Sequence, residues 1–184
     1  VTVDLSDING NRSSIMFQLW GKSPSRELVL TDEEKLLMNH QNDSLKQGIY
    51  TLWLEADALS YPIVCKPEVS SRLRDSVETI EVFSTGKQIY PLMKNARLVV
   101  GGKFPEKSVI CLLEKSNRFA ALKTRWTKEG LEAFPRVLGE YTVRQDTIAP
   151  VVLYTGRAGQ KIRFKMVDDL SGISSYRVEV NGKW

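Results

Sequence analysis

Metal chemistry would need imidazoles, and this sequence offers one. His40 sits in the polar run Asn39-His40-Gln41-Asn42-Asp43, where Asp43 could join it as a ligand. A catalytic zinc takes three protein ligands and keeps a position for water. No His-x-His pair exists, so His40 reads as a solvated loop residue. Asp168 and Asp169 are adjacent acids. Calcium prefers clustered carboxylate and carbonyl oxygens, but neighbours on a strand point to opposite faces, and capping a turn suits the pair better. Ser13-Ser14, Ser70-Ser71 and Ser174-Ser175 have no histidine partner for a nucleophile triad. Gly101-Gly102-Lys103 lacks the flanking spacing of a phosphate loop and reads as a hairpin turn.

Two cysteines do not make a disulfide framework. Cys65 and Cys111 each lie among apolar residues, in Ile63-Val64-Cys65 and Val109-Ile110-Cys111, which suits buried thiols. A bridge is the alternative, if their strands face each other in an exported protein. No neighbour would activate either thiolate. Trp20, Trp53, Trp126 and Trp184 could stack on sugars, but their place in alternating strands favours core or interdomain packing. The residues therefore predict no catalytic, cofactor-binding or metal site in this chain, and no cofactor.

Strand signals dominate the elements that carry these residues. Val1, Val3 and Leu5 alternate with polar residues, and after the turn Ser6-Asp7-Ile8-Asn9-Gly10-Asn11 the alternation resumes at Ile15, Phe17 and Leu19. That pattern is a hairpin with an Asn-Gly turn. Gly21 to Ser25, with Pro24, reads as a linker. Short strands are then expected at Glu27–Leu30, Gly48–Glu55, Tyr61–Lys66, Glu78–Phe83, Ala96–Val100, Ser108–Glu114, Arg118–Trp126 and Gly139–Arg144. Many short strands without alternating long helices indicate a sandwich or barrel. Thr31-Asp32-Glu33-Glu34 fits a capping box ahead of Leu36-Leu37-Met38, giving a short helix or a loop.

Asp146-Thr147-Ile148-Ala149-Pro150 marks a second boundary, because Pro fixes an extended entry and removes a donor. Ile162, Phe164 and Met166 alternate beyond it. Asp168 to Ile173 makes a turn, and Tyr176, Val178 and Val180 alternate again before Asn181-Gly182-Lys183-Trp184. The expected organisation is a terminal hairpin of an immunoglobulin-like domain over 1–22, a central β-sandwich over 26–145, and the truncated start of a second immunoglobulin-like domain over 146–184. About forty residues cannot bury a self-sufficient core, so both terminal hairpins are expected to dock on the central sandwich. An opening in mid-pattern at Val1 and a stop on Trp184 directly after a turn suggest a piece of a longer protein.

The 184 residues are 42% hydrophobic and 26% charged, enough for a core and ordinary for a soluble surface. No apolar run is long enough to cross a bilayer, and no signal peptide opens the chain. The net charge of +4 is unevenly placed. From Glu27 to Asp57 seven acids stand against Lys35 and Lys46. From Lys94 to Lys128 nine bases stand against Glu106 and Glu114. That basic 94–128 stretch could attract an anionic polymer. Lys and Arg on the solvent faces of strands, where they discourage aggregation, is the simpler account.

The segment Asp168-Asp169-Leu170-Ser171-Gly172-Ile173-Ser174-Ser175-Tyr176-Arg177, followed by Asn181-Gly182-Lys183-Trp184, resembles the C-terminal immunoglobulin-like region of lysostaphin/LytM-type zinc metallopeptidases, exported peptidoglycan endopeptidases of Gram-negative anaerobes. Asp7-Ile8-Asn9-Gly10-Asn11-Arg12-Ser13 is similar to the last hairpin of that family's preceding domain. Leu138-Gly139-Glu140-Tyr141-Thr142-Val143 with Asp146 to Pro150 is similar to its junction into the final domain. Between about Arg26 and Ala133 only a loose strand pattern matches. The resemblance implies non-catalytic accessory modules that position or pack against an upstream catalytic domain, at the periplasm or cell surface. The family's zinc ligands are histidines with an aspartate, which this chain does not supply, so no catalytic residue carries over. An adhesin-like envelope glycan or surface binding module using the 94–128 stretch is the alternative. Neither reading involves nucleic acid or a membrane span.

Overall fold

The computed structural model describes residues 2–6, 10–16, 29–74, 78–87, 89–114, 118–180 and 182–183. Among them there is no helix, and every strand pair is antiparallel. β1 (Thr2–Ser6) and β2 (Arg12–Met16) form a hairpin that, among the described residues, pairs with no further strand. β3 (Lys35–Leu37), β4 (Asp43–Gln47), β5 (Tyr50–Leu54), β6 (Ile63–Cys65) and β7 (Glu68–Arg74) open the central region. β8 (Glu78–Ser84), β9 (Tyr90–Pro91), β10 (Arg97–Gly101), β11 (Ser108–Leu113) and β12 (Phe119–Ala121) continue it. β13 (Arg125–Trp126), β14 (Gly130–Ala133), β15 (Val137–Leu138) and β16 (Glu140–Gln145) complete it. A second hairpin, β17 (Val151–Ala158) with β18 (Lys161–Val167), follows.

Two five-stranded sheets make the sandwich, the first ordered β13-β14-β10-β5-β4 and the second β12-β11-β16-β8-β7. Short ladders β3–β6 and β9–β15 accompany them. The core follows from period-2 alternation. Tyr50, Leu52 and Leu54 of β5, Leu98 and Val100 of β10, and Leu131 and Ala133 of β14 turn inward from the first sheet. They meet Phe83, Ile110 and Tyr141 of the second. Tyr50 stacks on Phe83 at 5.2 Å between centroids, and Phe83 stacks on Tyr141 at 6.5 Å. The Tyr141 hydroxyl, otherwise an orphan donor in this core, donates to the carbonyl of Val137 four residues upstream. Greek-key sandwiches use the same kind of tyrosine corner. Gly130, at φ 140°, sits where a Cβ would stand 2.1 Å from the Val100 carbonyl oxygen. Only glycine lets β14 pass β10 this closely.

The all-β sandwich matches the expectation from alternation, and several details differ. Thr31–Glu34 is a turn, not a helix, although the carboxylate of Glu34 accepts from both the amide and the hydroxyl of Thr31, as a capping box would. The chain then enters β3. Asp43–Gln47 and Glu68–Arg74 are strands that the polar sequence concealed, and Arg118–Trp126 is broken into β12 and β13. Val29 and Leu30 are not in a strand, and the rest of the expected Glu27–Leu30 strand, the 21–25 linker, Phe17 and Leu19 lie outside the described residues. Residues 173–179 form no strand despite their alternation; Val180 makes an isolated bridge with Lys183. Among the described side chains, the terminal hairpins bury no apolar face on the sandwich: Ile15 and Met16 of β2 are exposed, as are Val152, Tyr154, Ile162 and Phe164 of the second hairpin. A two-stranded ribbon has no opposing layer of its own to cover it.

Candidate functional site

The outer face of the first sheet carries a ladder of alternating rings and charges. Because Leu52 and Leu54 point into the core, Trp53 between them must point out. The register places Arg97 of β10 directly opposite Trp53, and its guanidinium lies over the indole, 4.9 Å from the centroid. Across β10, Glu132 of β14 stands opposite Val99, and Arg125 of β13 stands opposite Glu132. Glu132 is buried, and its carboxylate accepts from Arg97 Nε at 2.6 Å, with Arg125 Nη2 at 2.9 Å. Arg125 lies over the ring of Phe134 at 4.6 Å. The sequence Trp53–Arg97–Glu132–Arg125–Phe134 is therefore one continuous set of contacts across four strands.

Its electrostatics follow from the shared carboxylate. The hydrogen bond from Arg97, reinforced by the charge of Arg125, holds the Glu132 carboxyl below its ordinary value of 4.5. Glu129 stands 4.0 Å from Arg97 and adds a second anion. Beside the ladder, an open groove of about 520 Å³ is lined by Asn42, Ser44, Trp53, Glu55, Arg97 and Phe134, among others. Asp43 at its rim is neutralised by Lys35 at 2.5 Å.

The residues singled out in the sequence are dispersed. His40 and Asp43 take different partners. The Asn39 amide donates to His40 Nε2 at 2.9 Å, which leaves the Nδ1 proton to be donated to Asp57 at 3.0 Å. Asp168 caps the turn that follows it, accepting from the amides of Leu170 and Gly172 at 3.1 and 2.7 Å, while Asp146 accepts from the amide and hydroxyl of Ser171. Gly101-Gly102-Lys103 is not a hairpin turn. It leaves β10 in one sheet for β11 in the other, with Gly102 N–H donating to the Glu129 carbonyl. Cys65 and Cys111 are free and buried, and burial pushes their thiols up to about 11 and about 12. Ser14 donates to Asp4, within the first hairpin.

Neither tryptophan among the described residues packs into the core. Trp53 is 38% and Trp126 53% exposed, while Trp20 and Trp184 lie outside the described residues. The signal was available in the sequence, since inward Tyr50, Leu52 and Leu54 force the residue between the leucines outward. The 94–128 bases do not share one face. Lys94 donates to the Ala56 carbonyl at 2.6 Å, Arg97 and Arg125 are drawn to Glu132, Lys103 and Lys107 lie in the crossover, and Arg118 precedes β12 on the other sheet. Among the described residues, no three His, Cys, Asp or Glu side chains form a group able to hold a metal ion, and no helix is long and apolar enough to cross a membrane.

The fold and this face define an antiparallel all-β sandwich with a solvent-facing aromatic and ionic surface. Comparison with protein-family models, with curated proteins and with solved structures found no match.

Proposed function

We propose that this chain serves as a non-catalytic accessory module of a cell-envelope peptidoglycan metallopeptidase, positioning or packing against its catalytic domain in the periplasm or at the cell surface. The observation that carries the reading is the uncovered apolar face of the second hairpin. Val152 and Tyr154 of β17 stand opposite Met166 and Phe164 of β18, so all four side chains project from one side, and Ile162 extends the row. Tyr154 and Phe164 meet edge to face at 5.9 Å. An apolar row of this kind in water marks a surface that another protein layer covers. The central sandwich has a closed core and needs no such cover. The resemblance of residues 168–184 to the C-terminal region of LytM-type peptidases names the class of neighbour.

Residues 1–184 removed from a peptidase polypeptide that carries them should depress hydrolysis of intact cell walls more than hydrolysis of a small soluble peptide. Equal losses on both substrates would overturn the positioning role. Peptide-bond hydrolysis by the purified chain would overturn its non-catalytic character.

A further inference from the structure

We propose that the groove beside Trp53 is a binding site for a neutral oligosaccharide of pyranose rings on the outer face of the first sheet. This goes beyond the accessory role and does not depend on it.

Three features of the groove select that chemistry. First, it offers apolar rings at a polar surface. Trp53 in β5 and Phe134 directly after β14 are 38% and 39% exposed, each with a guanidinium over one ring face. Pyranose rings present C–H faces that aromatic side chains cover, and their hydroxyls then reach sideways to planar polar groups. Asn42, Glu55 and Arg97 stand at the edges of the same groove and supply such groups. The Asn42 carbonyl oxygen is already fixed by the Ala56 amide at 2.8 Å, so its NH₂ is oriented in advance.

Second, the site is stiff. Arg97 is held between the indole and the Glu132 carboxylate, and Arg125 between the same carboxylate and Phe134. Side chains already immobilised lose little freedom on binding, which favours a weakly interacting ligand such as a sugar.

Third, the charge balance is wrong for a polyanion. Lys35, Lys46, Arg97 and Arg125 stand against Asp43, Glu55, Glu129 and Glu132, so this face carries no net charge to draw a polyanion. A peptide is disfavoured for a different reason. Extended peptides gain affinity from main-chain hydrogen bonds at sheet edges, whereas this groove lies over a sheet face, where strand amides and carbonyls already pair in the ladder.

The test is calorimetric titration of the full chain with soluble cellohexaose and chitohexaose, with polyglutamate as an anionic probe. Trp53→Ala should weaken sugar binding about tenfold or more, the loss of one central aromatic anchor. Phe134→Ala should weaken it by a smaller factor, and Trp126→Ala, which removes a more exposed tryptophan that does not line the groove, should leave it unchanged. Thermal melting checks that each variant folds. Should Trp53→Ala fail to fold, Glu55→Gln, which keeps the shape of the groove but removes a charged acceptor for sugar hydroxyls, should weaken sugar binding severalfold, and unchanged binding would overturn the proposal. Absence of heat with both hexasaccharides at millimolar concentration, binding that survives Trp53→Ala, or binding of polyglutamate alone would each overturn the proposal. None of these outcomes bears on the cell-wall hydrolysis comparison, so the two readings fail separately.

Discussion

Arg72 and Glu140 clasp each other in a two-pronged ion pair that crosses β8 on the outer face of the second sheet. Arg72 Nη1 and Nη2 donate to the two carboxylate oxygens of Glu140 at 2.7 and 2.6 Å. The pair ties the edge strand β7 to β16, with which it shares no ladder, and the hydrogen bond raises the affinity of Arg72 for its proton. Both side chains are partly exposed, so the contribution is modest. Arg72→Ala should lower unfolding stability by about 1 kcal/mol. Arg72→Lys should restore only part of it, because a point charge cannot reproduce the fork. Chemical denaturation of the three proteins at low and high salt measures this, and identical midpoints would show the clasp to be energetically idle.

Glu132 sets an acid limb of the stability curve. Its carboxyl is depressed in the folded chain by the Arg97 hydrogen bond and the Arg125 charge. The native state therefore binds the proton more weakly than the unfolded chain does. The corresponding stabilisation is complete above the ordinary carboxyl value of 4.5 and is lost as pH falls through the lower folded value. Glu132→Gln should be less stable than the parent at neutral pH, and the difference should narrow on acidification. Melting temperatures across that range test the sign.

Both thiols should be silent in the native protein. Burial pushes Cys65 up to about 11 and Cys111 up to about 12, so near neutral pH neither offers thiolate. Titration with a coloured thiol reagent at about pH 8 should label neither cysteine in the folded chain. Both should react in denaturant. Rapid native labelling of one would reveal local opening of its strand.

Gly130→Ala should be the most damaging conservative change. Its φ of 140° disfavours any side chain, and the added methyl would press on the Val100 carbonyl at 2.1 Å, backbone that cannot swing away. A loss of about 3 kcal/mol is expected. Gly156→Ala, which has open space around it at φ 127°, supplies the comparison with strain alone.

The sequence made the sandwich readable wherever apolar residues alternate cleanly. Tyr50-Thr51-Leu52-Trp53-Leu54 declares a strand by alternation, and Ser108 to Leu113 by a short continuous apolar run. Asp43-Ser44-Leu45-Lys46-Gln47 carries a single inward leucine, and Glu68 to Arg74 lies at a sheet edge with little to bury, so neither shows a period. Conversely, Tyr176, Val178 and Val180 have the period without the partner strand that would make it a sheet. The ring-and-charge ladder was beyond reach for another reason. Trp53, Arg97, Arg125 and Glu132 are scattered over eighty positions of chain, and only inter-strand register brings them side by side.

The contrast between the central sandwich and the second hairpin divides the molecule's thermal behaviour. Opening β10 or β11 breaks a shared interior, so their amides should exchange with solvent only when the whole sandwich opens. Opening β17 and β18 disturbs one ladder and almost no interior, so exchange there should run on a much faster clock. The ribbon is therefore expected to melt and reform many times within the lifetime of the folded centre.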